Sequence, residues 1–311
     1  MTNNISLNTS IKIKFYSAIM IVLHHYFQLF FTTTDCASEH MLLYLLSQQL
    51  GYSGVAIFFF LSGYGLMQSE KKKSLQPKEF FQRRFLKIYS PYLFITLVWL
   101  PIFYFVNKTN DINITGIIYD LFWDGRDNVL WFIKILLFLY ITFYIFSRLN
   151  RINMSYGIIS LLIMTLLVCF ISYYTIGNYS YISIPIFSIG IIYSIYQDKA
   201  LTLQNPFLTT IILASIIIGI SALLCSNIFF MMQALINYII ILLFIIYKDK
   251  ISTNKENRLE NISYDIYLTH NKVLMLFQLY FVPSLINLSI YLSFVFVTAY
   301  ISNSIRKIFK I

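Results

Sequence analysis

Residues 14–32 read KFYSAIMIVLHHYFQLFFT, an apolar stretch with a lysine at its start and two histidines inside it. As a helix, about 20 such residues cross the hydrocarbon core of a bilayer, which is about 30 Å thick. Similar stretches recur along the chain. They predict about ten spans, at 14–32, 49–68, 88–106, 129–147, 155–173, 181–196, 206–225, 229–247, 262–282 and 288–305. Because lipid offers the backbone no hydrogen-bond partner, we predict an all-α fold, a polytopic bundle of transmembrane helices in which residues 1–311 form a single integral membrane domain.

The composition favours a membrane protein over a soluble one. The chain is 58% hydrophobic and only 12% charged, whereas about a quarter of the residues in a soluble domain are charged. The net charge is +10, but the basic residues lie beside the apolar stretches rather than along one soluble face. We therefore expect anionic membrane lipids as their partners, and no nucleic acid.

The distribution of basic residues predicts the orientation of the bundle. With the N-terminus inside, only Lys108 and Arg126 fall in outer loops, and Lys134 and Lys272 fall within spans. All the other lysines and arginines then lie on the cytoplasmic side, as the positive-inside rule requires. The sequence thus predicts a multi-pass protein of the inner (plasma) membrane with its N- and C-termini both in the cytoplasm.

The three cysteines, Cys36, Cys169 and Cys225, are too few and too far apart for a disulfide framework or a metal site. Ionisable residues inside spans are costly, and they are therefore candidates for function. Lys14 and His25 are eleven residues apart, which is about three turns and about 16 Å along a helix, so both lie on one face. This spacing predicts a polar pathway from the inner surface to mid-membrane; the alternative is that Lys14 reaches to the headgroups and His25 is a packed polar residue.

The ninth predicted span carries a polar stripe at its inner half. Ser263, Tyr267 and His270 follow the helical i, i+4, i+7 spacing. His270 lies about 12 Å from the start of this span, a depth similar to that of His25. The stripe indicates either a site or a seam of interhelical hydrogen bonds, which membrane bundles commonly contain.

A basic patch precedes the third predicted span. Arg83, Arg84 and Lys87 lie within about one turn of each other at the inner mouth. Such a patch suits a multiply phosphorylated ligand such as coenzyme A. Anchoring to lipid headgroups is the alternative.

These segments, taken together and in this order, resemble the acyltransferase 3 family of integral membrane acyltransferases, many of which O-acetylate bacterial surface polysaccharides. The resemblance extends over nearly the whole chain. Its segments are Lys14-x10-His25, the Phe-rich stretch Gly54–Gly65 with its Ser-Gly-aromatic end, the arginine-rich stretch Phe81–Pro91, the stretch Ser263–His270 and the shorter Leu130-Trp131-Phe132. The chain departs from the family at two places, because the family often has arginine at the positions of Lys14 and Lys87.

The resemblance implies an enzyme, an O-acetyltransferase. We expect it to move an acyl group, most simply acetyl, from cytoplasmic acetyl-CoA to a sugar hydroxyl of a cell-surface polysaccharide or lipid-linked glycan. Lys14, Arg83, Arg84 and Lys87 are the candidates that bind the coenzyme A phosphates. The family's additional esterase-like domain is not recognisable here, so this domain would act alone or with separate glycan-assembly proteins.

The candidate catalytic residues are His25, His270 and Tyr267. His25 would act as general base on the acceptor hydroxyl or form a transient acyl-imidazole. His270 and Tyr267 would position the acceptor or stabilise the oxyanion. His24 points about 100° away from His25 and ranks second.

Three other functions use some of the same features. A transporter or flippase for a lipid-linked glycan would use the buried polar residues as a path, without acetyl-CoA. A glycan polymerase would more naturally have a larger outer loop than 107–128. A structural assembly subunit would leave the histidines within the spans unexplained.

Overall fold

A computed structural model describes residues 4–34, 40–74, 76–106, 115, 118, 130–177, 180–197, 228–251 and 261–309. Nine α-helices and one short 3₁₀-helix, Ser180–Ile182, have both ends within these residues, which contain no strand. The α-helices are α1 (Leu7–Thr34), α2 (Met41–Lys72), α3 (Pro77–Val106), α4 (Leu130–Ile152), α5 (Met154–Thr175), α6 (Pro185–Tyr196), α7 (Ile228–Ile251), α8 (Ser263–Phe277) and α9 (Leu285–Phe309). The predicted all-α fold is confirmed.

Seven of these helices, all except α6 and α8, are long and apolar enough to cross a membrane. Helix α6 has 12 residues and α8 has 15, so they are about 18 Å and 22 Å long. The predicted spans 181–196 and 262–282 thus correspond to helices shorter than a full crossing. The predicted span 206–225 lies outside the described residues. The count of ten spans and the cytoplasmic location of both termini stay predictions.

Helix α2 lies at the centre of the described bundle. It packs most extensively against α1 and α6, and it also contacts α7 and α4. Its middle is buried almost without interruption from Gly51 to Leu61. Small residues on this helix let two neighbours approach closely, while its phenylalanines fill the space on the other sides.

The contact between α2 and α6 depends on two glycines that face each other's backbone. A Cβ on Gly63 would lie 2.1 Å from the carbonyl oxygen of Phe187, and a Cβ on Gly190 would lie 2.2 Å from the carbonyl oxygen of Phe60. Both distances are far below van der Waals contact, and backbone atoms cannot move aside as a flexible side chain can. Any larger residue at either position must therefore push the two helices apart.

We expect Gly63→Ala to lower the free energy of unfolding by roughly 1–3 kcal/mol, the usual cost of overpacking. Gly65→Ala is the matched control, because a Cβ on Gly65 would have no atom within 4 Å and alanine is the better helix former by about 0.5–1 kcal/mol. Thermal unfolding of the two purified variants in detergent measures the difference. Equal midpoints would contradict the close packing of α2 on α6.

A buried ion pair joins α8 to α9. The carboxylate of Asp265, which is fully buried, accepts hydrogen bonds from Arg306 at 2.8 and 2.6 Å and from the amide of Asn303 at 2.8 Å. On the preceding residue, the hydroxyl of Tyr264 donates to the carbonyl oxygen of Ile88 on α3, at 2.7 Å. These bonds hold the first turn of α8 against two neighbouring helices, and so they fix the depth of the residues further along α8.

Candidate active site

Two of the predicted histidines, far apart in the sequence, lie side by side in the bundle. His25 on α1 and His270 on α8 have ring centroids 5.2 Å apart, with ring planes inclined by 34°. His270 is buried and His25 is partly buried. We call His25 and His270 the histidine pair.

One hydrogen bond determines where the proton of neutral His270 lies. Nδ1 of His270 lies 2.6 Å from the backbone carbonyl oxygen of Tyr267. A carbonyl oxygen can only accept, so Nδ1 carries the hydrogen and Nε2 carries the lone pair. Nε2 is buried and has no hydrogen-bond partner among the described residues. Neutral His270 therefore offers a proton acceptor, not a donor, to any group that reaches Nε2.

Tyr267 and two phenylalanines form an aromatic wall beside the histidine pair. The ring of Tyr267 lies 5.7 Å from that of His270, 4.9 Å from that of Phe132 and 6.1 Å from that of Phe58. Phe132 belongs to the Leu-Trp-Phe segment of α4, and Phe58 belongs to the Phe-rich stretch of α2. Four of the segments recognised in the sequence thus meet at one place.

His24 has a different environment from its neighbour. Its Nδ1 donates to the backbone carbonyl oxygen of Ser47 at 2.8 Å, because that oxygen can only accept. A Cβ on Gly51 would lie 2.4 Å from the His24 ring, so this glycine leaves the space that the ring fills. These contacts attach α1 to α2, and the ring of His24 also lies 5.1 Å from the ring of His25.

The predicted basic cluster forms at one end of the bundle from two helices. Lys14 on α1 lies close enough to Arg84 and Lys87 on α3 for the three charges to interact. Arg84 also lies near Tyr140 of α4, and its Nε is buried without a hydrogen-bond partner among the described residues. We call Lys14, Arg84 and Lys87 the cation cluster.

No described carboxylate neutralises the cation cluster. The carboxylates whose side chains the structure describes belong to Glu70, Glu79 and Asp265. Each of them pairs with a different arginine, which is Arg151, Arg83 and Arg306 respectively. Three neighbouring cations without a described counter-ion have the electrostatics of an anion site, and phosphate groups match them best.

Arg83 does not join the cation cluster, although the sequence grouped it with Arg84. Its guanidinium pairs with Glu79 at 2.5 Å, one turn earlier on α3, and its side chain is 65% exposed. Consecutive residues on a helix point about 100° apart. Arg84 therefore turns inward toward Lys14 while Arg83 stays on the surface.

The cation cluster and the histidine pair are connected by one unbroken helix. Lys14 and His25 are both within α1, so the two sites are about 16 Å apart along its axis. Tyr92, which is fully buried, lies on α3 two turns beyond Arg84. Lys272 of α8 is also buried, with its Nζ 5.9 Å from the centre of the Tyr92 ring. The sequence placed Lys272 in a span but gave it no role.

Within the described ranges, no three His, Cys, Asp or Glu side chains cluster as a metal site would require. The model of the acyltransferase 3 family, described as an acyltransferase domain, matches residues 12–306. The histidine pair, Tyr267 and the cation cluster all fall inside this match, which covers nearly the whole chain. No curated protein and no solved structure matches the chain. The match to the family model is nonetheless sufficient, and the chain belongs to the acyltransferase 3 family.

Proposed function

We propose that this membrane acyltransferase moves an acetyl group from cytoplasmic acetyl-CoA to a sugar hydroxyl of a cell-surface polysaccharide or lipid-linked glycan. One observation carries the proposal: the histidine pair, with His270 buried and His25 partly buried, lies three turns along α1 from a cluster of three cations without a described counter-ion. A cation cluster alone fits a lipid headgroup equally well. The imidazoles at mid-membrane add the chemistry that acyl transfer needs.

The spacing of the two sites matches the dimensions of the donor. From its phosphate to its sulfur, the pantetheine arm contains about 12 bonds and extends over about 16 Å at standard bond lengths. The rise of α1 from Lys14 to His25 is also about 16 Å. With its phosphates at the cation cluster, acetyl-CoA would bring its thioester to the histidine pair.

The donor enters from the cytoplasm in this proposal. The cation cluster lies at the end of the bundle that also holds Arg151 and Arg306. The positive-inside rule assigns this end to the cytoplasm, where acetyl-CoA is made. The protein would then lie in the plasma membrane with both termini on the cytoplasmic side.

The cation cluster would hold the donor through charge-assisted hydrogen bonds to phosphate oxygens. Arg84 offers the planar fork that matches two oxygens at once, whereas Lys14 and Lys87 act as point charges. Arg83 contributes little, because Glu79 already pairs with it.

The chemistry at the histidine pair can follow one of two routes. In direct transfer, His25 takes the proton of the sugar hydroxyl, whose oxygen bonds to the thioester carbonyl carbon. The carbon–sulfur bond then breaks, and the departing thiolate takes the proton from the imidazolium. In the two-step route, the acyl group first moves to a nitrogen of His25, releasing coenzyme A, and the sugar hydroxyl then attacks this acyl-imidazole.

His270 and Tyr267 have distinct roles in either route. Neutral His270 presents a lone pair at Nε2. In direct transfer the reacting hydroxyl gives its only hydrogen to His25, so His270 would orient the sugar by accepting a hydrogen bond from another of its hydroxyl groups. In the two-step route, where His25 carries the acyl group, His270 would accept the proton of the attacking hydroxyl. The hydrogen-bond donor for the oxyanion must come from elsewhere. The phenol of Tyr267, on the same wall of the site, is the candidate.

The proposed function is tested by two measurements together. Purified protein in lipid vesicles should release coenzyme A from acetyl-CoA, and surface glycan from cells that lack the chain should lose an acetyl increment in its mass spectrum. A flippase for a lipid-linked glycan predicts neither result. The proposal would be rejected if the glycan of cells that lack the chain kept its acetyl groups and the purified protein did not cleave acetyl-CoA.

A pair of neighbouring arginines tests the cation cluster. Arg84→Gln is expected to raise the KM for acetyl-CoA by about 10- to 100-fold, the value of a hydrogen bond to a charged group, while kcat changes little. Arg83→Gln removes the same charge one residue away and should leave KM within about twofold. Steady-state thioester cleavage measures both. Equal effects of the two substitutions would show that only the overall charge of this surface matters.

A further inference from the structure

A cavity of about 200 Å³ opens at the basic end of the bundle, between the last turns of α2 and α4. Met67 and Phe146 provide its apolar lining, and Ser74 lies two residues beyond the end of α2. Asn150 and the ion pair of Glu70 with Arg151 provide its polar lining. Neither the histidine pair nor the cation cluster takes part in this cavity.

The cavity lies beyond the cation cluster in the direction of the basic end of the bundle, on the same side of α4. Tyr140 of α4 lies near Arg84. Ser147, which lines the cavity, is seven residues further along, and therefore on the same helix face and about 10 Å closer to the end of the bundle. The histidine pair, the cation cluster and the cavity thus follow one another from mid-membrane to the basic surface.

The charges around the cavity are already engaged within the protein. Arg151 pairs with Glu70, and Lys71 donates from Nζ to the backbone carbonyl oxygen of Ser194 at 2.5 Å. A ligand group that fits here is therefore neutral.

The size of the cavity limits what it can hold. Sites that enclose a whole drug-sized ligand have about 300–1,000 Å³, so 200 Å³ suits a single bicyclic ring. A flat, neutral ring would pack on Met67 and Phe146.

We propose that this cavity binds the adenine base of the acyl donor, an inference that rests on the proposed function. Adenine is a neutral bicycle with an exocyclic amino group, and in coenzyme A a ribose separates it from the pyrophosphate. The cation cluster would hold the phosphates and the cavity the base, about 10 Å further toward the cytoplasm. The donor would then lie along a single line from the cavity to the histidine pair.

The test compares acetyl-CoA with a truncated donor that lacks only the adenine base. The truncated donor keeps the arm, the ribose and all the phosphates of acetyl-CoA, and carries hydrogen in place of adenine on the ribose. We expect wild-type protein to show a KM at least tenfold lower for acetyl-CoA. Equal KM values for the two donors would overturn the inference and leave the proposed function standing, whereas cleavage of neither donor would overturn both.

A filled cavity should remove this preference. Ser74 is exposed and lines the cavity, whereas Gln76 is exposed nearby and does not line it. Ser74→Trp is expected to raise the KM for acetyl-CoA about tenfold and to leave the KM for the truncated donor unchanged. Gln76→Trp should change neither. A Ser74→Trp variant that handles both donors as wild type would overturn the inference.

Discussion

His25→Ala should lower the rate of acetyl transfer from acetyl-CoA by about 10²–10⁴-fold, the usual contribution of a general base. The substitution removes the imidazole that faces His270 at 5.2 Å, and a cavity in its place cannot take a proton or an acyl group. Initial rates of coenzyme A release, measured with purified protein in vesicles, give the effect.

His40→Ala is the matched control for this loss. His40 is the exposed residue just before α2 and belongs to neither the histidine pair nor the cation cluster, so its removal should leave the rate within about twofold. The unfolding midpoint of His25→Ala should stay near that of wild type, which separates lost chemistry from lost fold. A His25→Ala variant that cleaves acetyl-CoA at the wild-type rate would exclude His25 as base and as nucleophile.

The double variant of His25 and His270 shows whether the two rings act as a unit. When two residues serve one catalytic step, the rate losses caused by their substitutions are not additive, because removal of one residue already disables the other. We therefore expect the double alanine variant to be no slower than the slower single variant. A product of two independent losses would indicate that His270 acts in a separate step.

Asp265→Asn should lower the free energy of unfolding by about 3–5 kcal/mol, because it leaves the Arg306 charge partly buried without its partner. Three hydrogen bonds to a fully buried carboxylate depend on Asp265. Glu79→Gln is the matched control, since it breaks an exposed pair of the same type that contributes about 0–1 kcal/mol. Thermal unfolding in detergent compares the two; a midpoint for Asp265→Asn equal to that of Glu79→Gln would contradict a structural role for the buried pair.

The apolar stretches predicted the helices well and their ends less well. Hydropathy measures how apolar a segment is, but helix ends depend on local backbone chemistry. The predicted sixth span began at residue 181, whereas residues 180–182 form a 3₁₀ turn and α6 starts only at Pro185, as expected for proline in a first turn. Helix α2 instead starts at Met41, earlier than predicted, because polar residues such as Gln48 and Gln49 continue a helix although they lower its hydropathy.

The depth of the site could be predicted from periodicity, but its contacts could not. Helical rise placed His25 and His270 at similar depths, yet 244 residues lie between them, and no local pattern indicates that α1 and α8 touch. The same holds for Asp265 and Arg306. The separation of Arg83 from Arg84, in contrast, could have been found in the sequence, since Glu79 and Arg83 have the i, i+4 spacing of a helical ion pair.

Electron cryo-microscopy of the protein with a non-hydrolysable thioether analogue of acetyl-CoA would observe the donor directly. We expect the sulfur of the analogue beside the rings of His25 and His270, and its pyrophosphate in contact with Lys14, Arg84 and Lys87. An arm that lies along the lipid-facing surface of the bundle, or phosphates bound away from these three cations, would contradict the proposal that the donor extends along α1 from the cation cluster to the histidine pair.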